Sequence, residues 1–473
     1  MVKAGGWESL AVATTGVLAL AYLSKSKPKA IEIPKKEHHD EVVVTMLPLE
    51  TSDVMMQNIS SISTITWYKG DIDTIQESLR NRITDILRAN PWIGGRLEKR
   101  RNKNGAMVPS LIYCANTEKT ISKELDIIYK CYNGDKDEIP LTRDIPYEQL
   151  TTILQNLLVK NSFNLLDKED GALFRISLVP DYKDLHGYFA LVVSLAHCIG
   201  DGQTYYSLHN MLDMKHKVVS LNVQRKQDIT ERIETALGGP AQASSLSNPS
   251  PGFVARFLAG LTSSILFGPP TSVKVFAINE EWIQQQKQIA MESDPNKAFV
   301  STNDIVTSNF FQCVDCDQGI MAINFRGKVK DCLGTDAGNY FNFLVYRPAD
   351  YSSPRQIRST VHELQTKGKR QPITKPMTSW EHFRSKRQFG ACSNWSSFCK
   401  PVGLGGGCIQ DLHMPLLPTD PISVPSNFTS VLVIFRPGKS NRIAAMFAGH
   451  PKALETLIAS DMVGKDVYRN NGA

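Results

Sequence analysis

Residues 188–195 are apolar at nearly every position, with no 3.6-residue or two-residue period. A short unbroken run of this kind predicts a strand buried on both faces. It feeds into Ser194-Leu-Ala-His-Cys-Ile-Gly-Asp-Gly202, and 203–214 follows with Tyr205, Leu208, Met211 and Leu212 at helical spacing. The predicted unit is a strand with His197 at its end, a tight turn through Gly200 and Gly202, and then a helix.

The rest of the first half reads in the same terms. Strands are expected over 41–47, 62–68 and 173–179, the last pairing with 188–195 as a hairpin across 180–187. Residues 73–88 place Ile75, Leu79, Ile83, Ile86 and Leu87 on one face, with an acidic start and a basic finish, which predicts an amphipathic helix. Trp92-Ile-Gly-Gly-Arg-Leu97 follows Asn90-Pro91 as a turn into another strand, and Pro146 opens a predicted helix over 146–159.

The second half repeats the style. It has strands at 273–278, 319–326 and 340–346, helices at 280–290, 301–313 (capped by Ser301 or Thr302) and 354–366, a hairpin of 428–436 with 442–448, and a last helix over 451–462. The fold class is therefore α/β, with helices on mixed sheets in two similar halves, although no clean repeat is visible in the residues. The expected division is 1–40 (hydrophobic segment and basic tether), 41–215, a crossover at 216–272, and 273–473. The crossover carries the apolar stretch 253–267, closed by Gly268-Pro-Pro270. Either it packs against the second domain, or it lies in a membrane interface or covers a lipid entrance through Phe253, Phe257, Leu261, Ile265 and Phe267.

Composition narrows the function classes. At 473 residues, with 42% hydrophobic and 21% charged positions, the chain is an ordinary globular protein long enough for two cores. The net charge of +6 is scattered, and no basic stripe interleaves with aromatics, which argues against nucleic-acid binding. Nine cysteines with one isolated CxxC (Cys313, Cys316) give neither a zinc site nor a disulfide framework, and fit a reducing compartment. Residues 10–23 are apolar or small and are followed by Lys25, Lys27, Lys29, Lys35 and Lys36. This predicts an uncleaved membrane anchor with the chain facing the cytosol, at the endoplasmic reticulum. Ala19-Leu-Ala21 also resembles a signal-peptidase site, so the alternative is an organellar or secreted protein after cleavage, for which the sequons at Asn58, Asn394 and Asn427 would matter.

His197 is the candidate general base: it has a rigid strand behind it and open space ahead. Asp201 either holds its ring or pairs with an arginine and braces the turn. A metal site at His197 and Asp201 lacks a third ligand nearby, and Cys198, as a nucleophile, would point to the opposite face.

His197-Cys-Ile-Gly-Asp-Gly202 resembles the HxxxDG signature of the CoA-dependent acyltransferase superfamily, which includes chloramphenicol acetyltransferase and the BAHD acyltransferases. Leu87 to Leu97 resembles the BAHD helix-exit segment ending in GRL. Ser301-Thr-Asn-Asp304 resembles the opening of a second-domain helix, Asn324-Phe-Arg326 a strand-borne arginine, and Gly338-Asn339 a glycine-asparagine pair. The resemblance implies two chloramphenicol-acetyltransferase-like domains with an active-site tunnel between them. It implies His197 as the base, with Asp201, Gly202 and Arg326 supporting it and Asp201 paired to Arg326. Ser301, Asn339 and Trp395 become candidates for the tunnel or substrate contacts. Acyl-CoA is then a co-substrate, with no cofactor and no metal, and the acceptor is a small molecule with a hydroxyl or amine; the hydrophobic N-terminal segment and the apolar crossover point to a lipophilic acceptor or a fatty acyl donor. A monomer is expected, with membrane association through the N-terminus. The BAHD motif DFGWG is replaced: Asn394-Trp-Ser-Ser-Phe398 leads to Gly403-Leu-Gly-Gly-Gly407, without the aspartate and the tryptophan. That marks a divergent branch and leaves a non-catalytic acyl-CoA- or lipid-binding relative as the alternative.

Overall fold

The computed structural model describes residues 37–39 and 42–468, apart from short internal stretches at 102–104, 115–116, 136–137, 169–170, 227, 243–245, 247–248, 294–298, 371–373, 419, 421–422 and 439–441. The apolar segment 10–23 and its lysines lie outside the described residues.

A five-stranded sheet carries the centre of the first half, in the order Ile409–Pro415, Ile62–Lys69, Tyr188–Leu195, Phe174–Pro180 and Tyr129–Cys131. Tyr188–Leu195 is flanked antiparallel on both sides, with Leu195 opposite Ile62 on one neighbour and Phe174 on the other. Alternate side chains serve two cores. Tyr68, Phe189, Leu191 and Val193 pack with Leu79, Ile83, Ile86 and Leu87 of the helix Gln76–Ala89. Ile65, Trp67, Ala190 and Val192 pack with Val433, Phe435, Ala444 and Met446 from the second sheet. Both faces are covered, which is why the strand reads as an unbroken apolar run.

The second sheet has seven strands, in the order Phe341–Tyr346, Cys316–Asn324, Gln388–Asn394, Thr429–Phe435, Ala444–Gly449, Ser272–Ile278 and Val463–Asp466. It is mixed: Gln388–Asn394 runs parallel to both neighbours and the other pairs are antiparallel. Helix Thr302–Val314 lies on it through Phe310 and Phe311. Gly319 and Gly390 make this close approach possible, since a Cβ at either would come within 2.8 and 3.0 Å of the Phe311 ring. A four-stranded sheet (Glu37–His39, Val42–Pro48, Met107–Cys114, Arg96–Arg101) completes the fold.

The structure corrects several expectations. The helix from Pro146 covers only Tyr147–Ile153, where Thr151, Thr152 and Ile153 are weak helix formers, and tight turns then bury Leu154 and Leu157. Strands Met107–Cys114, Gln388–Asn394 and Ile409–Pro415 and helix Glu118–Ile128 were not anticipated. One strand crosses the expected division, because Ile409–Pro415 pairs with Ile62–Lys69. The crossover helix, Pro251–Leu266, is capped by Ser250 and rests on the second sheet, with Phe253 against Ile320, Phe389 and Phe428. Phe253 and Leu261 are buried, so they are not outward contacts as one expectation had them.

Candidate active site

His197 stands two residues beyond the last paired position of its strand, at the start of a turn that ends in helix Gly202–Asn210. Asp201 is the helix cap: its Oδ1 accepts from the Thr204 amide at 3.0 Å and the Thr204 hydroxyl at 3.1 Å. The turn is forced at Gly200, where a Cβ would come within 2.6 Å of Thr204 Cγ2. It is not forced at Gly202, where a Cβ would meet Trp395 at an ordinary 3.7 Å. Gly202 is thus no structural requirement of the turn; its missing side chain leaves room beside Trp395.

The choice left open for Asp201 resolves towards the arginine. Arg326 grips it with two prongs, at 2.7 Å to Oδ2 and 3.1 Å to Oδ1, and the Tyr340 amide adds a third contact at 3.0 Å. Both side chains are buried, and the remaining guanidinium hydrogens go to Asn324 Oδ1, the Thr204 hydroxyl and the carbonyls of Asp336 and Gly338. A carboxylate so fully engaged has no oxygen left for a metal or for the His197 ring. Arg326 sits two residues past the end of strand Cys316–Asn324, not within it as expected.

A second brace joins Asn339 to two residues the sequence did not single out, Asp53 and Arg225. Asn339 Nδ2 donates to the main-chain carbonyl of His197 at 2.8 Å and to Asp53 Oδ1 at 2.9 Å. Arg225 Nε donates to Asp53 Oδ2 at 2.6 Å, and the same guanidinium reaches the carbonyls of Val223, Ala337 and Ile199. Asp53, Arg225 and Asn339 are all buried. Gly338, with φ 145°, makes room for Arg225, whose Nη1 would lie 2.9 Å from a Cβ there. The first half supplies His197, Asp201 and Asp53, the crossover supplies Arg225, and the second half supplies Arg326 and Asn339, so the turn is clamped where the halves meet.

The His197 ring remains partly exposed, tilted at 39° to Phe341 with centroids 5.7 Å apart, while its Nδ1 is buried without a hydrogen-bond partner. Burial holds the imidazole below its ordinary pKa, against opposing pulls from its own backbone, Asp201, Asn339 and Asp53. A lowered value keeps the ring neutral near pH 7, the form that can accept a proton. Cys198 is buried and its thiol is pushed up to about 12 by desolvation, which removes it as a nucleophile.

Trp395 lies beside Gly202, edge-on to Tyr206 at 6.0 Å, with its indole nitrogen donating to Ser393 Oγ at 2.9 Å. Asn394, just before it, donates to Asn303 at 2.8 Å and so ties it to the start of helix Thr302–Val314. Ser301 caps that same helix, and the link runs through Asn303. Its hydroxyl is engaged in a capping box with Asp304, which Arg358 grips in turn. The structure therefore gathers His197, Asp201, Gly202, Arg326, Asn339 and Trp395 around one turn and places Ser301 as a helix cap at its margin.

No family profile and no curated protein matches the chain. Solved structures do. The trichothecene 15-O-acetyltransferase TRI3 from Fusarium sporotrichioides superposes with a TM-score of 0.55 at 8% identity, over 93% of this chain and 99% of that one. TRI101 from F. graminearum, in complex with coenzyme A and T-2 mycotoxin, gives 0.54 at 13% identity, over 88% of this chain and 97% of that one. Vinorine synthase gives 0.50 at 12% identity, over 94% and 97%. This is the fold of the BAHD-type, CoA-dependent acyltransferases. Likeness at such identities establishes the fold, a two-domain α/β architecture of mixed sheets flanked by helices. A BAHD-like fold also gives the resemblance of the His197 segment a structural setting, since the turn lies where its two halves meet.

Proposed function

We propose that the chain is an acyl-CoA-dependent acyltransferase that moves an acyl group from CoA to the hydroxyl, or amine, of a lipophilic small molecule. The observation that carries this reading is the clamped turn: a neutral, partly exposed imidazole at the meeting of two halves, in a fold whose solved examples include proteins bound to coenzyme A. In this reading a tunnel between the halves brings donor and acceptor to His197 from opposite sides. Nδ1 is sealed from solvent, so Nε2 is the nitrogen for the chemistry. It takes the acceptor proton as the oxygen or nitrogen attacks the thioester carbonyl. The tetrahedral intermediate collapses, the C–S bond breaks, and the departing thiolate recovers the proton from the imidazolium. The histidine ends neutral, and no acyl-enzyme forms. Asp201 and Arg326 take no part in the proton transfer; they hold the turn.

The test is release of free thiol from a panel of acyl-CoAs with alcohols and amines, wild type against His197→Ala. Loss of a general base lowers turnover by roughly 10²–10⁴-fold. Equal, slow release by both proteins across the panel would sink the enzyme reading and leave a non-catalytic acyl-CoA- or lipid-binding protein.

A further inference from the structure

Helix Pro251–Leu266 carries no charge on its outer face. From residue 251 to 270 the only charged side chain is Arg256, and it points inward to a buried ion pair with Asp317 at 2.8 Å. The outward stripe is Ala255, Leu258, Ala259, Thr262, Ile265 and Leu266, ending in Phe267, which is 84% exposed. A surface helix of a globular protein ordinarily turns lysine and glutamate outward. Alongside it, helix Ser379–Arg384 packs through Ser379, whose hydroxyl accepts from the Gly252 amide at 2.8 Å, and His382, which meets Phe253. It leaves Trp380 63% and Phe383 54% exposed, stacked at 5.6 Å. Lys375, Arg384 and Lys386 around these rings are exposed, whereas the nearby acids Glu381 and Asp315 are paired to Arg347 and Arg387.

We propose that this surface, the outer stripe of helix Pro251–Leu266 with Phe267 and the Trp380–Phe383 pair, rests in the headgroup region of an anionic phospholipid bilayer. An uncharged stripe enters the acyl boundary, indole and phenyl rings sit at headgroup depth, and arginine and lysine meet lipid phosphates. The helix is about 24 Å long and lies in the plane of the surface; among the described residues no helix is long and apolar enough to cross a membrane. The exposed Arg384 and Lys386 give the patch a positive edge, which anionic headgroups neutralise. The chain's other apolar stretch, 10–23 with its trailing lysines, supplies the second signal that stable attachment requires.

Trp380 reports on the contact directly. It is the most exposed described tryptophan, since Trp67, Trp92 and Trp282 are buried and Trp395 is half-buried. The full chain carrying Trp7→Phe is mixed with vesicles of brominated phosphatidylcholine, with or without phosphatidylserine, and the emission lost by Trp380→Phe is assigned to that indole. Bromine should quench this component. The combined Ile265→Ser, Leu266→Ser and Phe267→Ser variant should lose the quenching with an unchanged thermal melt, its affinity falling by roughly tenfold or more. Arg384→Gln with Lys386→Gln should weaken the contact about fivefold per charge on phosphatidylserine vesicles and leave neutral vesicles unaffected. A chain that floats with vesicles while Trp380 stays unquenched is held by its N-terminus alone, and the proposal fails. It fails equally if the chain binds no vesicle, if the triple serine variant quenches like wild type, or if that variant instead abolishes a dimer in solution.

Discussion

The side-chain amide of Asn339 holds the main-chain carbonyl of His197 at 2.8 Å, so the proposed base is positioned through its backbone. The same nitrogen is anchored by Asp53, which Arg225 holds in turn. Removing the amide lets the turn drift while the imidazole itself is retained. Asn339→Ala should lower kcat by roughly 10- to 100-fold with little change in KM, since small misplacement of a reacting group has effects of that size. Steady-state kinetics on an acceptor found by the thiol assay decide it. A rise in KM at constant kcat would instead make Asn339 a substrate contact.

The Asp201–Arg326 pair predicts an asymmetry between single and double variants. Arg326→Leu leaves a buried carboxylate unpaired and should cost about 3–5 kcal/mol in urea unfolding. Adding Asp201→Asn removes that stranded charge and keeps a side-chain acceptor for the Thr204 amide, so the double variant should recover part of the loss. Additive losses would show that the two residues do not act as one unit.

Acid should destabilise the protein through a buried histidine cluster next to the site. His209 and His413 lie 5.0 Å apart among Tyr205, Tyr206 and Trp395; His413 bonds Thr66 and Tyr206, and neither nitrogen of His209 has a hydrogen-bond partner. Burial lowers the His209 pKa from 6.5 to about 4, and His413 is lowered by burial and by His209. Protons bind these rings in the unfolded chain below about pH 6.5 but in the folded chain only near the lowered values. Their contribution is therefore complete above pH 6.5 and is lost as pH falls through the folded pKa, amounting to roughly 3 kcal/mol for His209. Urea midpoints measured from about pH 7 down to pH 4 should fall less steeply in His209→Leu. An unchanged slope would place the acid sensitivity elsewhere.

Two glycines of the turn, two residues apart, should behave differently. Gly200→Ala drives a methyl to within 2.6 Å of Thr204 and should destabilise the turn by about 1–3 kcal/mol. Gly202→Ala meets only Trp395 at 3.7 Å and should fold normally, and any change it makes should appear in acceptor preference. Thermal melts of both variants separate the two cases.

How much of this was legible in the sequence depended on whether a residue belonged to a periodic segment. His197 and its helix were readable because a buried strand and an amphipathic run flank them, and the Ser301 cap was readable from local chemistry. Arg326 was found only by resemblance. Asp53 and Arg225 were missed because one lies in a helix of five residues and the other in an irregular crossover; neither has a period to mark it, and their contact spans 172 positions. Strand Gln388–Asn394 was missed for a different reason. Gly390 and several polar positions break its apolar pattern, since the aromatic ring of Phe311 occupies the space a larger side chain would fill.

Strand Ile409–Pro415 has a mechanical consequence. It belongs by sequence to the second half but lies in the first half's sheet, paired from Ile409 opposite Lys69 to Pro415 opposite Thr64. Swinging the halves apart like a clamshell would strip this ladder along its whole length. In the proposed reaction, donor and acceptor would therefore reach His197 by rearrangement of loops and side chains at the rim, and a single backbone cut in the crossover would leave two fragments still stitched together.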